Sequence, residues 1–151
     1  ALPELQQMYQ EYSIRTPYGV PHDRGNLSSG SWEPQHLGYN YCYLHDAYPD
    51  LFEPDYIFNA VQYLLGMHPG QNQSAFVTGV GAETMKQAYG VNRADWSYIP
   101  GGVAPGTNLI RPDLPELLRF PFLWQEGEYC LGGHSTWFTY MVLASTHILN
   151  K

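Results

Sequence analysis

Charge is what this sequence has least of. Only 14% of its 151 residues are charged, and seven Lys and Arg face fourteen Asp and Glu, for a net charge of −7. Nucleic-acid binders cluster cations to displace the counterions of a phosphate backbone. Here the few cations are scattered, so that class is excluded. Cysteine is almost as scarce. Cys42 and Cys130 form no disulfide framework and no C-x-x-C metal spacing; each reads as a buried thiol or as one half of a single bridge. The histidines lack the H-x-x-x-H or His–carboxylate spacing of a zinc site, so no metal site or cofactor is expected. No apolar run approaches the roughly 20 residues that cross a bilayer, so no membrane span is expected. There is also no basic-then-apolar leader at the start. A chain opening at Ala1-Leu-Pro-Glu is expected to be processed, truncated or the later part of something longer. Its length suits one domain, residues 1–151, with no internal boundary.

What the chain has in excess is aromatic: thirteen Tyr, six Phe and four Trp. Tyr and Trp join a flat apolar face to a polar tip, which serves both packed interiors and polar ligand sites. Sugars, with flat C–H faces and hydroxyl rims, suit such surfaces; packing between helices and long loops accounts for many of these rings as well.

Hydrophobic spacing predicts helices. Leu5, Met8 and Tyr9 place one over residues 2–15. A Pro/Gly/Ser-rich loop follows over 16–30, a length usually reserved for function or disorder; Tyr18 and Leu27 argue for order. Ser31 reads as a helix cap with Pro34 in the first turn, and Leu37, Tyr41, Leu44 and Tyr48 stripe the helix that Pro49 stops. Asp55 opens another, where Ile57, Ala60, Val61 and Leu64 recur at i, i+3, i+4 and i+7. Gly66 and Pro69 end it. Residues 70–81 read as a loop with one apolar patch at Ala75-Phe-Val, 82–89 as one or two helical turns, 90–115 as mostly irregular, and 115–119 as a single turn. A last helix is predicted over 134–149 by Phe138, Met141, Val142, Ser145, Ile148 and Leu149. The sum is all-α, two hairpin-like pairs with alternately long loops, and no period-two run long enough to predict a sheet. Such loops are too long for a simple four-helix bundle. Gathered at one end of the helices, they would build a cleft.

The stretch Phe122-Leu-Trp-Gln-Glu-Gly-Glu-Tyr-Cys-Leu-Gly-Gly-His-Ser-Thr-Trp137 concentrates chemistry. It sets Glu126 and Glu128 among Trp124 and Tyr129 just ahead of the last helix. Burial by Trp124, Tyr129 and Leu131, with repulsion between the two carboxylates, would raise a carboxyl pKa toward the range of a general acid. Either glutamate can be that acid, and both can equally be solvated loop charges.

Several motifs in order resemble the family 9 glycoside hydrolases. Gln62-Tyr-Leu-Leu-Gly-Met-His-Pro69 and Ser74-Ala-Phe-Val-Thr-Gly-Val-Gly81 look like the family's D-Y-(I/L)-L-G-x-N-P and S-(Y/F)-V-x-G-x-G runs. Gln62 stands for the acid, His68 for Asn, and one extra residue precedes Phe76. Tyr18-Gly-Val20 and Gly30-Ser31 resemble the Y-G-V and G-S-N elements, and Asn92-Arg93 stands where the family has H-H-R. Glu128-Tyr-Cys-Leu-Gly-Gly-His-Ser135 resembles N-E-x-x-(I/L)-x-x-N-A, with Glu128 and Leu131 kept and Gly127, His134 and Ser135 departing. The matches span Tyr18 to Ala144, nearly the whole chain.

The resemblance implies an (α/α)6 toroid, here only a partial one, and inverting hydrolysis of β-linked glucan or a related β-glycoside, with Glu128 preferred over Glu126 as general acid. Asn92 and Arg93 become substrate contacts, the guanidinium offering fixed donors to hydroxyls; Arg93 reads alternatively as a surface ion pair with Asp95. Trp32, Trp96 and Trp124 are candidate stacking platforms or packing residues. His134 is expected to position the loop. Inversion needs a second carboxylate roughly 6.5–9.5 Å from the first. The family's Asp-rich base motif has no counterpart before Tyr18, so the chain is expected to be the C-terminal portion of the catalytic domain and inactive alone. Its partners would be a poly- or oligosaccharide and the missing N-terminal portion, with an apolar surface at each end of the partial ring. Relatives are secreted or periplasmic, and some hold calcium, for which no specific loop occurs here. A helical-toroid polysaccharide lyase using Tyr with Asn92-Arg93, and a non-catalytic glycan-binding fragment, are the competing readings.

Overall fold

A computed structural model describes residues 1–15, 17–20, 31–67, 74–81, 83–85, 87–90, 100–103, 127–130 and 132–151. The described residues are mostly helical. Four helices span Leu2–Arg15 (α1), Trp32–Ala47 (α2), Asp55–Leu64 (α3) and Gly132–Leu149 (α4), close to the expected limits, with α4 beginning two residues earlier. Four short strands accompany them, Ser74–Thr78 (β1), Glu83–Met85 (β2), Gln87–Gly90 (β3) and Gly127–Cys130 (β4). This corrects the expectation of no sheet and of helical turns over 82–89. The strands are too short for alternation to show in sequence; β1 pairs in parallel with the nearby β2, and β3 with the remote β4.

Contacts between side chains give the helix directions. Tyr41 lies against Phe52 and Tyr56, and Gly38 against Ala60, so α2 and α3 run antiparallel. His36 meets Trp137 and Tyr43 meets Tyr140, so α4 runs parallel to α2. Gln6 donates to the Leu51 carbonyl, Tyr9 packs on Tyr56, and Tyr18 beyond α1 packs on Tyr63, so α1 follows α3. Consecutive helices thus alternate in direction along the chain, and α2 packs against both α3 and α4.

The core lies where these helices meet. Tyr9, Tyr41 and Tyr56 form a ring cluster with centroids 4.8–5.0 Å apart, surrounded by Phe52, Ile57, Ala60, Tyr63, Leu64 and Met141. Each large apolar side chain buried here contributes about 1.5–3 kcal/mol. The α3 stripe seen in the sequence is therefore its buried face. The α2 stripe holds less completely: Tyr41 is buried while Tyr48 is exposed, because the helix ends at Ala47 and Tyr48 turns away. Among the described residues, the Tyr56 hydroxyl is one of several buried polar groups with no hydrogen-bond partner. Cys42 is a free, buried thiol, so the bridge to Cys130 is not made.

The helix ends obey local rules, with one exception. At the end of α3, Gly66 takes φ 121°, Met67 N–H donates to the Gln62 carbonyl, and Gly66 N–H to the Tyr63 carbonyl. This is a Schellman closure requiring a left-handed residue, hence glycine. The exception is Ser31. It holds the N-cap position of α2, but its side chain makes no capping bond; its hydroxyl instead accepts from Gln35 Nε2 at 2.8 Å.

Candidate functional site

Helix direction decides where the motifs fall. The short turn over residues 48–54 closes one end of the helical assembly. The connections over 16–31 and 65–131 both leave from the other end, with the finish of α1 and α3 and the start of α2 and α4. The described parts of the motif segments at Tyr18–Val20, Ser31, Gly66 and β4 belong to this loop end.

Tyr18-Gly-Val20 reaches it first. Gly19 has φ 70°, and a Cβ there would collide with the Asn59 side chain of α3, so glycine is required; Val20 beside it is fully buried. Ser31 and Gln35, both fully buried, follow at the head of α2, where the Gln35 Oε1 atom has no hydrogen-bond partner. After the α3 closure the chain enters β1. There Ala75, Phe76, Val77 and Thr78 are buried, so the apolar patch in the sequence is a strand. Its end is pinned to the glycines at 101–102: Thr78 N–H donates to the Gly102 carbonyl at 3.0 Å, Gly101 N–H to the Thr78 carbonyl at 3.1 Å, and Gly102 N–H to Thr78 Oγ1 at 2.9 Å. Val77 and Val103 form an antiparallel bridge beside them. The glycines of the V-x-G-x-G run have a physical cause as well. Gly79 and Gly81 take φ 85° and 96°, and a Cβ on Gly81 would sit 2.7 Å from the Leu65 carbonyl oxygen.

Glu128 lies in β4, which pairs in parallel with β3 in the register Ala88↔Glu128 and Gly90↔Cys130. Asn92 and Arg93 follow Gly90 by two and three residues. The ladder ties the segment bearing Glu128 to Gln87–Gly90, which precedes the Asn-Arg pair in the chain. Trp32 is the first residue of α2, at the same end. Asn92, Arg93, Trp96, Trp124 and Glu126 themselves lie outside the described residues, as does the turn expected over 115–119.

Sequence reasoning missed an aromatic cluster on α2 and α4. Trp137 stands 5.2 Å from the His36 ring and 6.3 Å from Tyr39. Tyr39 lies 5.2 Å from Tyr140, and Tyr43 stacks on Tyr140 at 5.3 Å and 24°. The Tyr39 and Tyr43 hydroxyls share a 2.6 Å hydrogen bond, which raises the Tyr39 pKa. The i, i+4 spacing of Tyr39 and Tyr43 was visible; that α4 runs parallel to α2 and joins Trp137 and Tyr140 to them was not.

A separate cavity of about 340 Å³ opens between α1 and α3, lined among others by Tyr9, Tyr41, Glu53, Asp55 and Asn59. Burial, and next the carboxylates of Glu53 and Asp55, push the Tyr41 phenol up to about 12. Burial alone drives the Cys42 thiol up to about 12, against a smaller opposing backbone hydrogen bond. Tyr9 and Tyr56 are raised further, burial again leading. These groups stay protonated at neutral pH and stabilise the core rather than exchange protons.

Among the described residues, no group of three or more His, Cys, Asp or Glu is placed to hold a metal ion. None of their helices is long and apolar enough to cross a membrane. No protein-family model matches the chain, and no curated protein or solved structure matches it either.

Proposed function

We propose that this chain is the C-terminal portion of an inverting glycosidase that cleaves β-linked glucan or a related β-glycoside, with Glu128 as its general acid. The observation that carries the reading is the parallel β3–β4 ladder, which joins the Glu128 segment to the one leading into Asn92-Arg93 at the loop end. Protonating a glycosidic oxygen needs a carboxylic acid beside donors that hold the sugar hydroxyls, and these segments carry one of each. A strand is also a stiffer mount for the acid than a free loop.

The helical arrangement supports a partial (α/α)6 toroid. Alternating helix directions, with long connections at one end and a short turn at the other, are what a ring of helical hairpins with a cleft across one end requires. Ile14 of α1 is 84% exposed and Leu149 of α4 is 74% exposed. Large aliphatic side chains in water on the outermost helices fit surfaces that further hairpins cover. The catalytic base is supplied by that further polypeptide, so the isolated chain binds glycan without turning it over. Secretion or a periplasmic location goes with polymeric substrate of this kind.

The test uses the enzyme that contains both carboxylates. The first product released from β-glucan, followed by proton NMR before mutarotation, is expected to be the α-anomer, and Glu128→Gln is expected to lower kcat by at least a hundredfold. A β-anomer as first product, or full turnover in the Glu128→Gln enzyme, overturns the assignment. Appearance of an unsaturated uronate absorbance would transfer it to a lyase.

A further inference from the structure

We propose that the aromatic strip formed by Trp137, Tyr39, Tyr140 and Tyr43 is a second carbohydrate-binding surface, a platform for a neutral β-glucan on the outside of α2 and α4. The choice of ligand class rests on the glycosidase reading; the surface itself does not. Tyr39, Tyr43 and Tyr140 touch one another with centroids 5.1–5.3 Å apart, and Trp137 extends the patch toward the loop end at 6.3 Å from Tyr39. Tyr43 is 49% and Tyr140 38% exposed, so both rings reach solvent.

Charge decides between occupants. Residues 36–43 and 136–143, the two helix segments that build the strip, contain no Asp, Glu, Lys or Arg. A polyanionic glycan would find no cation there and would meet a chain of net charge −7. A neutral glycan meets no such penalty. The rim is also polar: the paired Tyr39 and Tyr43 hydroxyls, and the Asn40 amide bonded to His36 Nε2 at 3.2 Å. Covering them with an apolar helix would strip water from these groups and offer no partners, whereas sugar hydroxyls both donate and accept. Flat rings with hydroxyl tips and no net charge are the complement of a neutral polyol.

The experiment is titration of the chain with cellohexaose, read by calorimetry and Trp fluorescence, in the wild type and in Tyr43→Ala, Tyr140→Ala and Tyr43→Phe. Both alanine variants remove exposed rings and are expected to keep the wild-type circular dichroism. Each is expected to weaken binding roughly tenfold, equivalent to about 1.4 kcal/mol, while Tyr43→Phe keeps the ring and retains most affinity. The readout is binding by a chain that the glycosidase reading expects not to turn glycan over, so a failure of the general-acid assignment in the complete enzyme leaves this result standing, and the reverse. Unchanged affinity in both alanine variants overturns the proposal. So does absence of cellohexaose binding by the wild type, or equally tight binding of an oligogalacturonate. Self-association of the wild type that Tyr140→Ala abolishes would mean that protein covers the strip, and would overturn it too.

Discussion

Gly38 of α2 faces Ala60 of α3 and Met141 of α4, and replacing it by alanine sets two known effects against each other. In an exposed helix interior, Gly→Ala is favourable by about 1 kcal/mol, because alanine loses less backbone entropy on folding. At Gly38 the added methyl would lie 2.5 Å from Met141 Sδ and 2.7 Å from Ala60 Cβ. The methionine is flexible enough to swing aside. The Ala60 methyl is fixed to its backbone, so α3 must move by several tenths of an ångström, and every contact between α2 and α3 moves with it. Overpacking of this kind costs roughly 1–3 kcal/mol. The steric term is the larger, and Gly38→Ala is expected to destabilise the chain by up to about 2 kcal/mol. That lowers the thermal midpoint by up to roughly 8 °C in a domain of this size. Adding Ala60→Gly carries the methyl from one helix to the other and is expected to recover about half of the loss, the remainder reflecting glycine in α3. Urea unfolding followed by circular dichroism measures all three proteins. A Gly38→Ala chain stabilised by 1 kcal/mol, as at a free helix surface, would refute the packing of α2 between α3 and α4.

Other consequences are as direct. Tyr56→Phe removes a buried hydroxyl without a partner and is expected to be neutral or stabilising by up to about 1 kcal/mol; a loss above 1 kcal/mol in urea unfolding would reveal a hydrogen bond. Gly81→Ala places a methyl against the Leu65 carbonyl at positive φ and is expected to cost at least about 1 kcal/mol by the same assay; an unchanged midpoint contradicts the β1 closure. Burial raises the folded-state pKa of Cys42, Tyr41, Tyr9 and Tyr56 above ordinary values of 9.0 and 10.0. In that case the unfolded chain binds fewer protons at alkaline pH. Stability is then full below pH 9 and falls as pH rises, at up to about 1.4 kcal/mol per pH unit for each buried group. Unfolding free energies measured from pH 8 to 11.5 should decline, and a flat profile would contradict the buried cluster.

The helices were legible because their signals are local. An apolar stripe at 3.6-residue period, a proline at each turn and a glycine after Leu65 fix four helices within two residues of where they lie. The strands were not, because their cause is remote. β1 pairs with the three-residue β2 nearby but is pinned by the glycines at 101–102, and β3 pairs with β4 some forty residues later, so a local window of sequence holds little of what makes them extended. The same holds for the site. Glu128 stood out by its neighbours in the chain, whereas the link from Ala88 to Glu128 and the meeting of Tyr39 with Trp137 exist only once the helices have taken their directions. Ser31 shows a third case. Its type and place announce a cap, but a glutamine four residues on competes for the hydroxyl, and both are buried, so the side-chain bond wins over the backbone.

The central claim is that Glu128 delivers the proton to the leaving oxygen, and leaving-group dependence tests it most directly. In the enzyme that carries both carboxylates, kcat/KM of Glu128→Gln relative to wild type is measured on β-glucan and on an aryl β-glycoside whose phenol leaves without protonation. A general acid gives a large loss on glucan, a hundredfold or more, and a loss of only a few fold on the activated substrate. Equal losses on both substrates would contradict the account and leave Glu128 a structural residue of β4.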